Sequence, residues 1–290
     1  MTARLDPSPR TLAVPGGMVQ YIDHGGAGEP VLLVHAGVFG AWFAPLAAEP
    51  AMREFRVVRL VRAGYTGGPP PAAPLSVAQH AGHCGAVLEH LDLPAAHVVA
   101  HSSGSVIALQ LALDRPELVG RLVLVEPPLI DQLAAPDDLP VLHELLGPVI
   151  GAAIAAAAAG DAATAFHSFM DVVCGPEHRA VLEATLGPDA MHRAYQDAEY
   201  FFADEVRALT EWQFGAQHAA RVEHPTLLVQ GAASTPPVRH VVERLAAALP
   251  RADIATVDGE DHLLPLRSPD RLARLVADHA HDRVAPLRSG

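Results

Sequence analysis

Ser102 is the residue of this chain best placed for chemistry, because its hydroxyl stands between a predicted strand and a predicted helix. β-Branched residues precede it, and an apolar helical pattern starts at Val106. A sharp strand-to-helix turn needs small residues two positions before and after its apex, where the backbones crowd. Ala100 and Gly104 meet this requirement. At a helix N-terminus, where negative charge is favoured, Ser102 is placed to attack a carbonyl; without partners it would only cap the helix.

A serine hydroxyl needs a base and an orienting acid before it acts as a nucleophile. His262 follows the final predicted strand, so we expect it at the same edge of the sheet as Ser102. Glu126 ends another apolar strand, and a carboxylate there is costly to bury unless it is paired, which favours His262 as its partner. The alternative role of Glu126 is to cap the hinge of the helical region that follows.

The loop after the penultimate predicted strand, residues 231–237, is where enzymes of this layout often hold the acid. Here the loop contains no carboxylate, which favours Glu126. Other carboxylates are available near the predicted site, and two of them are very close in sequence to His262; they are Asp131, Asp258 and Asp261.

Two backbone N–H groups should face the negative charge that develops on the carbonyl oxygen. We expect one from Ser103, the residue after the nucleophile. The other is expected from Gly37, in the loop after the third strand, because glycine lets a carbonyl approach closely. Each such donor stabilises the transition state by about 3–4 kcal/mol. Val38 is the alternative donor, one residue further on, and we also expect it to border the substrate.

Strands alternate with helices as far as Glu126 and again from residue 225. This alternation predicts crossover connections and a mostly parallel sheet flanked by helices. Residues 129–224 carry only helical patterns. We therefore predict an α/β core in residues 1–128 and 225–290, with residues 129–224 inserted as an all-helical cap. Ligands bind at the C-terminal edge of such sheets, so the cap would cover the site.

Aromatic residues are concentrated late in the predicted cap, although aromatics make up only 5% of the chain. We expect Trp212 and one of Phe201 or Phe202 to line an apolar substrate pocket. Trp42, close to the predicted oxyanion loop, would form another wall. The alternative role of these residues is ordinary packing of the cap against the core, which aromatics at helical spacing do more often.

Ser102, Glu126 and His262 occur in the order serine, acid, histidine, and the chain thereby resembles the α/β-hydrolase superfamily from about residue 11 to residue 280. Three features resemble zearalenone-lactonase-type hydrolases: Ser-Ser-Gly at 102–104, Glu-Pro-Pro at 126–128 and the carboxylate-free loop at 231–236. The resemblance implies an α/β-hydrolase fold and a cofactor-free serine hydrolase. Such an enzyme would cleave an ester or lactone of a largely apolar substrate through a Ser-His-Glu triad and an acyl-enzyme.

The same three residues also suit other reactions, because a fold does not fix a function. One alternative keeps the triad and hydrolyses a carbon–carbon bond, or catalyses a cyclisation in secondary metabolism. Another is a noncatalytic ligand receptor with the hydrolase fold, although a receptor needs no base beside its serine. The serine at position 102 excludes the routes that need a carboxylate nucleophile there.

The chain has 290 residues, half of them hydrophobic, which suits one large α/β domain with an insertion. A net charge of −13 argues against nucleic acid and anionic membranes as partners; a small-molecule substrate is expected, and a homodimer stays open. The N-terminus lacks a signal-like apolar segment. The longest apolar stretch, residues 147–160, is expected to be too short to span a bilayer, so we expect a cytoplasmic protein. No metal site is expected, because His80 and His83 have no third ligand nearby.

Overall fold

A single eight-stranded sheet forms the centre of the computed structural model, which describes residues 7–65 and 70–282. The strand order is β1-β2-β4-β3-β5-β6-β7-β8. β1 and β2 pair antiparallel with each other, and β2 pairs antiparallel with β4, whereas the strands from β4 to β8 pair in parallel. The strands are β1 (Arg10–Val14), β2 (Gly17–Asp23), β3 (Pro30–Val34), β4 (Arg56–Val61), β5 (Ala96–His101), β6 (Val119–Val125), β7 (Thr226–Gly231) and β8 (Ala252–Val257).

The central strands are buried on both faces, which explains why β3 and β7 read as unbroken apolar runs rather than as alternating patterns. One face packs against α2, α3 and α10, and the other against α1 and α12. Ser76 begins α2 through a capping box with Gln79. The helices of the core are α1 (Ala44–Ala48), α2 (Val77–His90), α3 (Ser103–Asp114), α10 (Pro236–Ala248), α11 (Leu264–Arg267) and α12 (Pro269–Ala280).

Only helices connect β6 to β7, as the sequence predicts, over a stretch that the structure describes in full. A residue in the left-handed region, Gly187 (φ 74°), breaks the longest of these helices, and a π-helical turn follows at Phe201–Glu205. The helices are α4 (Ile130–Leu133), α5 (Asp138–Ala158), α6 (Ala162–Val173), α7 (His178–Tyr200), α8 (Val206–Glu211) and α9 (Ala216–Ala219). We call this stretch the helical insertion; its division from the core at residues 128 and 224 stays a prediction.

Helix α5 is longer than the apolar stretch that the sequence singles out. It begins at Asp138, nine residues before the apolar stretch at 147–160, and its 21 residues include a window of mean hydropathy 1.7. By length and composition alone this helix reaches the size of a membrane span, although the apolar stretch at 147–160 is itself shorter. One such helix among the described residues is weak evidence for a span. The cytoplasmic location stays a prediction.

Three of the buried histidines stand out as neutral rings inside the protein: His35, His80 and His101. Burial lowers the pKa of each well below the usual 6.5, and the positive charge of Arg62 lowers the pKa of His35 and His80 further. The hydrogen bonds of His35 require this neutral form. Its Nε2 accepts from the backbone N–H of Arg62 at 3.1 Å, and its Nδ1–H donates to the Ala36 carbonyl at 2.6 Å.

These histidines predict that the free energy of unfolding falls as the pH is lowered from 7.5 to 5.5. The unfolded chain binds protons near pH 6.5 and the folded chain does not, so each ring removes about 1.4 kcal/mol at pH 5.5. The three together remove about 4 kcal/mol. Urea unfolding at both pH values measures this loss, which His80→Gln should reduce by about 1.4 kcal/mol, the contribution of one ring. His192→Gln, at an exposed position, is the control. A wild-type stability that is flat over this range would contradict the prediction.

Candidate active site

The C-terminal ends of the parallel strands bring four distant segments to one edge of the sheet. Gly37 follows β3, Ser102 follows β5, Glu126 follows β6 and His262 follows β8. All four residues line one cavity of about 470 Å³ between this edge and the helical insertion. Such an edge is where open α/β sheets bind ligands.

Ser102 stands at a sharp turn between β5 and α3, as the sequence predicts. Its backbone has φ 50° and ψ −125°, a conformation that is unfavourable for a residue with a side chain. The backbones crowd here as expected: a Cβ atom on Gly104 would lie 2.4 Å from the carbonyl oxygen of Val34. Glycine at this position therefore allows the turn that presents the Ser102 hydroxyl.

Backbone strain is concentrated in the site. Among the described residues, five non-glycine positions have positive φ, and three of them line the cavity: Val38 (φ 71°), Ser102 (φ 50°) and Glu126 (φ 44°). Each such position costs of the order of 1–3 kcal/mol, and it persists only where the surrounding structure enforces it. Strain of this kind clusters at functional sites, so it supports the assignment of the cavity as the active site.

Glu126 and His262 form the central hydrogen bond of the site. The Nδ1–H of His262 donates to Glu126 Oε2 at 2.8 Å, and the carboxylate is 3% exposed. Burial opposes ionisation of this group, but the hydrogen bond and charge of His262 outweigh it, and the pKa of Glu126 is lowered. The carboxylate is therefore ionised at neutral pH and holds the imidazole in the tautomer whose Nε2 is free to accept a proton.

The last residue of β7 and the carboxylate-free loop after it contribute the remaining partners of Glu126. The backbone N–H of Gly231 donates to Oε1 at 2.9 Å, and the Ser234 hydroxyl donates to the same oxygen. Both hydrogen bonds lower the pKa of Glu126 further. Sequence reasoning missed these two residues. The sequence did contain one signal for Ser234: its hydroxyl lies in a loop that lacks the expected carboxylate, where it can donate to a carboxylate from another strand.

Ser102 and His262 share the cavity, but no hydrogen bond joins the two side chains in the part of the chain that the structure describes. Catalytic hydrogen bonds are often long before substrate binds and tighten afterwards.

Two neighbouring rings pack against the His262 ring and restrict its position. His101 lies 4.5 Å from it between ring centroids, and Trp42 lies 6.2 Å from it, edge-on.

The cavity is mainly apolar. Leucine, isoleucine, valine, methionine and phenylalanine side chains from α5, α6 and the π-helical turn line it beyond the catalytic edge. Polar side chains line it both at the sheet edge, where Glu126, Ser234 and His262 lie, and in the helical insertion, where Asp131, His143 and Thr210 lie. Within the described residues, no lysine or arginine lines the cavity.

Five of the predicted binding and oxyanion residues line the cavity: Gly37, Val38, Trp42, Ser103 and Phe201. The Phe201 ring packs directly on Gly37, where a Cβ atom would lie 2.3 Å from the ring. Their roles toward a substrate stay predictions.

Phe202 and Trp212 are not among the residues that line the cavity. The sequence predicts only one of Phe201 and Phe202 there, and Phe201 takes that place, so the correction concerns Trp212. Phe202 packs inside the helical insertion against Phe169, with ring centroids 5.4 Å apart. Trp212 lies in the hydrophobic core on the side of the sheet that carries α3. Its indole N–H donates to Gln110 Oε1 at 2.7 Å, and its ring stacks on Phe214. Both are packing residues, the alternative role that the sequence left open.

Residues 31–275 match the model of the Alpha/beta hydrolase family, and the chain belongs to this family. The fold agrees with the sequence-based prediction of an α/β-hydrolase fold. The likeness to zearalenone-lactonase-type hydrolases is finer than this match and stays a prediction.

Solved structures similar in fold include two hydrolases. The carboxylesterase CesB from Bacillus subtilis has a TM-score of 0.73 and 21% identity, over 97% of this chain and 94% of that one. The enol-lactonase from Burkholderia xenovorans LB400 has a TM-score of 0.67 and 18% identity, over 94% of this chain and 100% of that one. At these identities the likeness shows the fold alone.

One curated relative is the dihydrolipoyllysine-residue acetyltransferase component of the acetoin cleaving system from Cupriavidus necator. It is 36% identical over 116 residues, which are 39% of this chain and 30% of that protein. The chain therefore spans less than a third of that relative. The match supports common ancestry of a segment, not a shared activity.

The placement of Trp212 and Phe201 predicts opposite effects of their substitution. Trp212→Ala should lower the free energy of unfolding by about 3–5 kcal/mol, as expected for a buried ring, and leave acyl-chain preference unchanged. Phe201→Leu should change the ratio of kcat/KM between long and short p-nitrophenyl esters. Urea unfolding and ester kinetics on both variants measure this. A Trp212→Ala protein with wild-type stability but an altered acyl-chain preference would show that Trp212 contributes to the substrate pocket.

Proposed function

We propose that this protein is a cofactor-free serine hydrolase that cleaves an ester or lactone of a largely apolar substrate. The observation that carries this proposal is the hydrogen-bonded pair of Glu126 and His262, in one cavity with the strained serine Ser102. A hydroxyl, an imidazole and a buried carboxylate are the groups that acyl transfer requires.

In the proposed reaction His262 Nε2 takes the proton of the Ser102 hydroxyl as its oxygen attacks the substrate carbonyl. The N–H groups of Gly37 and Ser103 stabilise the resulting oxyanion. The tetrahedral intermediate expels the alcohol, which receives the proton from His262, and an acyl-enzyme remains. Water then attacks this ester with His262 as base, and the acid leaves as Ser102 regains its proton. Glu126 stabilises the imidazolium in both halves.

The shape and polarity of the cavity support an apolar substrate. Most of the side chains that the helical insertion contributes to the cavity are apolar, and Glu126, Ser234 and His262 lie at the sheet edge. We therefore propose that the insertion acts as a cap that selects the substrate. A carboxylesterase and an enol-lactonase of similar fold support an ester or lactone as the bond cleaved. The zearalenone-lactonase-like motifs at 102–104 and 126–128 favour a lactone.

A fluorophosphonate probe tests whether Ser102 is activated. The wild-type protein should be labelled covalently at Ser102, because the probe reacts with a serine whose proton has a base to receive it. Ser102→Ala should not be labelled, while Ser103→Ala, which keeps the neighbouring backbone, should be. Intact-mass spectrometry reads the adduct. A wild-type protein that stays unlabelled would favour the noncatalytic receptor.

Glu126→Gln should lower kcat by about 10³–10⁴-fold in a folded protein. Gly231 and Ser234 both donate to Oε1, so the amide oxygen will occupy that side and its NH₂ group will face His262 Nδ1. The ring must then accept at Nδ1 and carry its proton on Nε2, where it cannot act as a base. The measurement is kcat for a p-nitrophenyl ester, divided by the concentration of enzyme that the fluorophosphonate probe labels.

The control is Glu260→Gln, which removes another buried carboxylate from the same loop as His262. Glu260 hydrogen-bonds Ser268 and Arg267 and does not contact the imidazole. Its substitution should lower stability but change kcat per labelled site by less than about threefold. Near wild-type turnover in Glu126→Gln would show that the acid lies elsewhere.

A further inference from the structure

One segment of the helical insertion, residues 197–205, presses on the loop that carries the predicted oxyanion donor. We call it the clamp segment. Asp197 Oδ2 accepts a hydrogen bond from the backbone N–H of Gly40 at 2.8 Å. Four residues later, the Phe201 ring lies directly against Gly37. The clamp segment therefore fixes this loop at two points, on either side of Val38, whose φ is 71°.

The clamp segment ends at Glu205, whose carboxylate reaches the second predicted oxyanion donor. Glu205 Oε1 accepts from the Ser103 hydroxyl at 2.8 Å and lies 3.0 Å from Arg62 Nη1; Oε2 accepts from the Tyr65 hydroxyl. Arg62 Nη2 donates to the Ala36 carbonyl at 3.1 Å and lies 3.5 Å from Ser103 Oγ. One guanidinium thus joins the loop after β3 to the start of α3.

This ion pair is almost completely removed from water, since the side chains of Arg62 and Glu205 are 1% and 2% exposed. Two buried charges are costly, and they are rarely more stabilising than apolar residues of the same size. Stability alone is therefore a weak reason for the pair. Its position gives a better reason, because its hydrogen bonds end on Ala36 and Ser103, the residues that set the directions of both oxyanion donors.

The clamp segment also has unusual local geometry. Phe201–Glu205 is a π-helical turn, a rare element that occurs mainly at functional sites. Both of its ends are buried against the oxyanion hole, Phe201 on Gly37 and Glu205 on Ser103. A single turn of the insertion thus contacts both donors.

We propose that Glu205 and Arg62 are positioning residues that hold the two oxyanion donors at the spacing the transition state requires, and so make the oxyanion hole dependent on the helical insertion. This inference rests on the proposed serine hydrolase mechanism. Neither Glu205 nor Arg62 is among the described residues that line the cavity, and both act through their hydrogen bonds to Ser103 and Ala36.

Glu205→Gln keeps the size of the side chain and removes the charge that holds Arg62. We expect kcat per fluorophosphonate-labelled site to fall about ten- to a hundredfold. Moving a hydrogen-bond donor by about 1 Å from the position that the transition state requires lowers the rate by about this factor. KM for a p-nitrophenyl ester should change less than about threefold, since the donors bind the transition state rather than the substrate. The inhibition constant of an alkyl trifluoromethyl ketone, whose serine adduct carries the same oxyanion, should rise by the same factor as kcat falls.

Two further variants make the experiment decisive. Ser103→Ala keeps the backbone N–H and the ion pair and removes only the hydroxyl between them, so it decides the case if Glu205→Gln does not fold. Its kcat and its affinity for the ketone should fall together by about three- to tenfold. Asp204→Asn removes a carboxylate from the same π-helical turn and should behave as wild type.

Unchanged kcat and ketone affinity in Ser103→Ala, or in a folded Glu205→Gln, would overturn the inference. A rise in KM alone would also overturn it, because it would place Glu205 in substrate binding. A wild-type protein that neither hydrolyses the esters nor binds the ketone would instead overturn the proposed function.

Discussion

The negative charge of Glu126 at a buried position is the constraint on which the proposed active site depends. An ionised carboxylate with almost no contact with water is stable only where several donors surround it. Here the donors come from two other segments: His262 after β8, and Gly231 and Ser234 at and after the end of β7. The same carboxylate therefore draws three strand ends together and selects the tautomer of the imidazole. Removing the charge would affect packing at the sheet edge as well as catalysis.

Most of the fold could be predicted from the sequence, because parallel strands buried on both faces give unbroken apolar runs. The sharp turn at Ser102 could also be predicted from the sequence, because the crowded backbones require small residues such as Ala100 and Gly104 two positions on either side. Glu126 was identified by a physical cost, that of burying an unpaired carboxylate at the end of an apolar strand. These inferences share one property: each depends on local geometry or on the chemistry of a single residue.

The inferences that failed needed tertiary contacts. Helical periodicity shows that Phe202 and Trp212 are buried, but it does not show whether they face the cavity or the core. Trp212 faces Gln110, over a hundred positions earlier in the chain. The network of Arg62 and Glu205 was invisible for the same reason, because an arginine after one strand and a glutamate in a helix are ordinary surface residues until the fold brings them together.

The position of Ser234 in the loop after β7 bears on how the acid of such a site can change its place in the chain during evolution. Ser234 already places its side chain on the oxygen of the carboxylate that supports His262. A descendant with an acidic residue near this position would offer the imidazole a second counter-ion from a neighbouring strand end, and selection on residue 126 would then relax. The acid can thus migrate between two places in the chain while the histidine and the serine stay where they are.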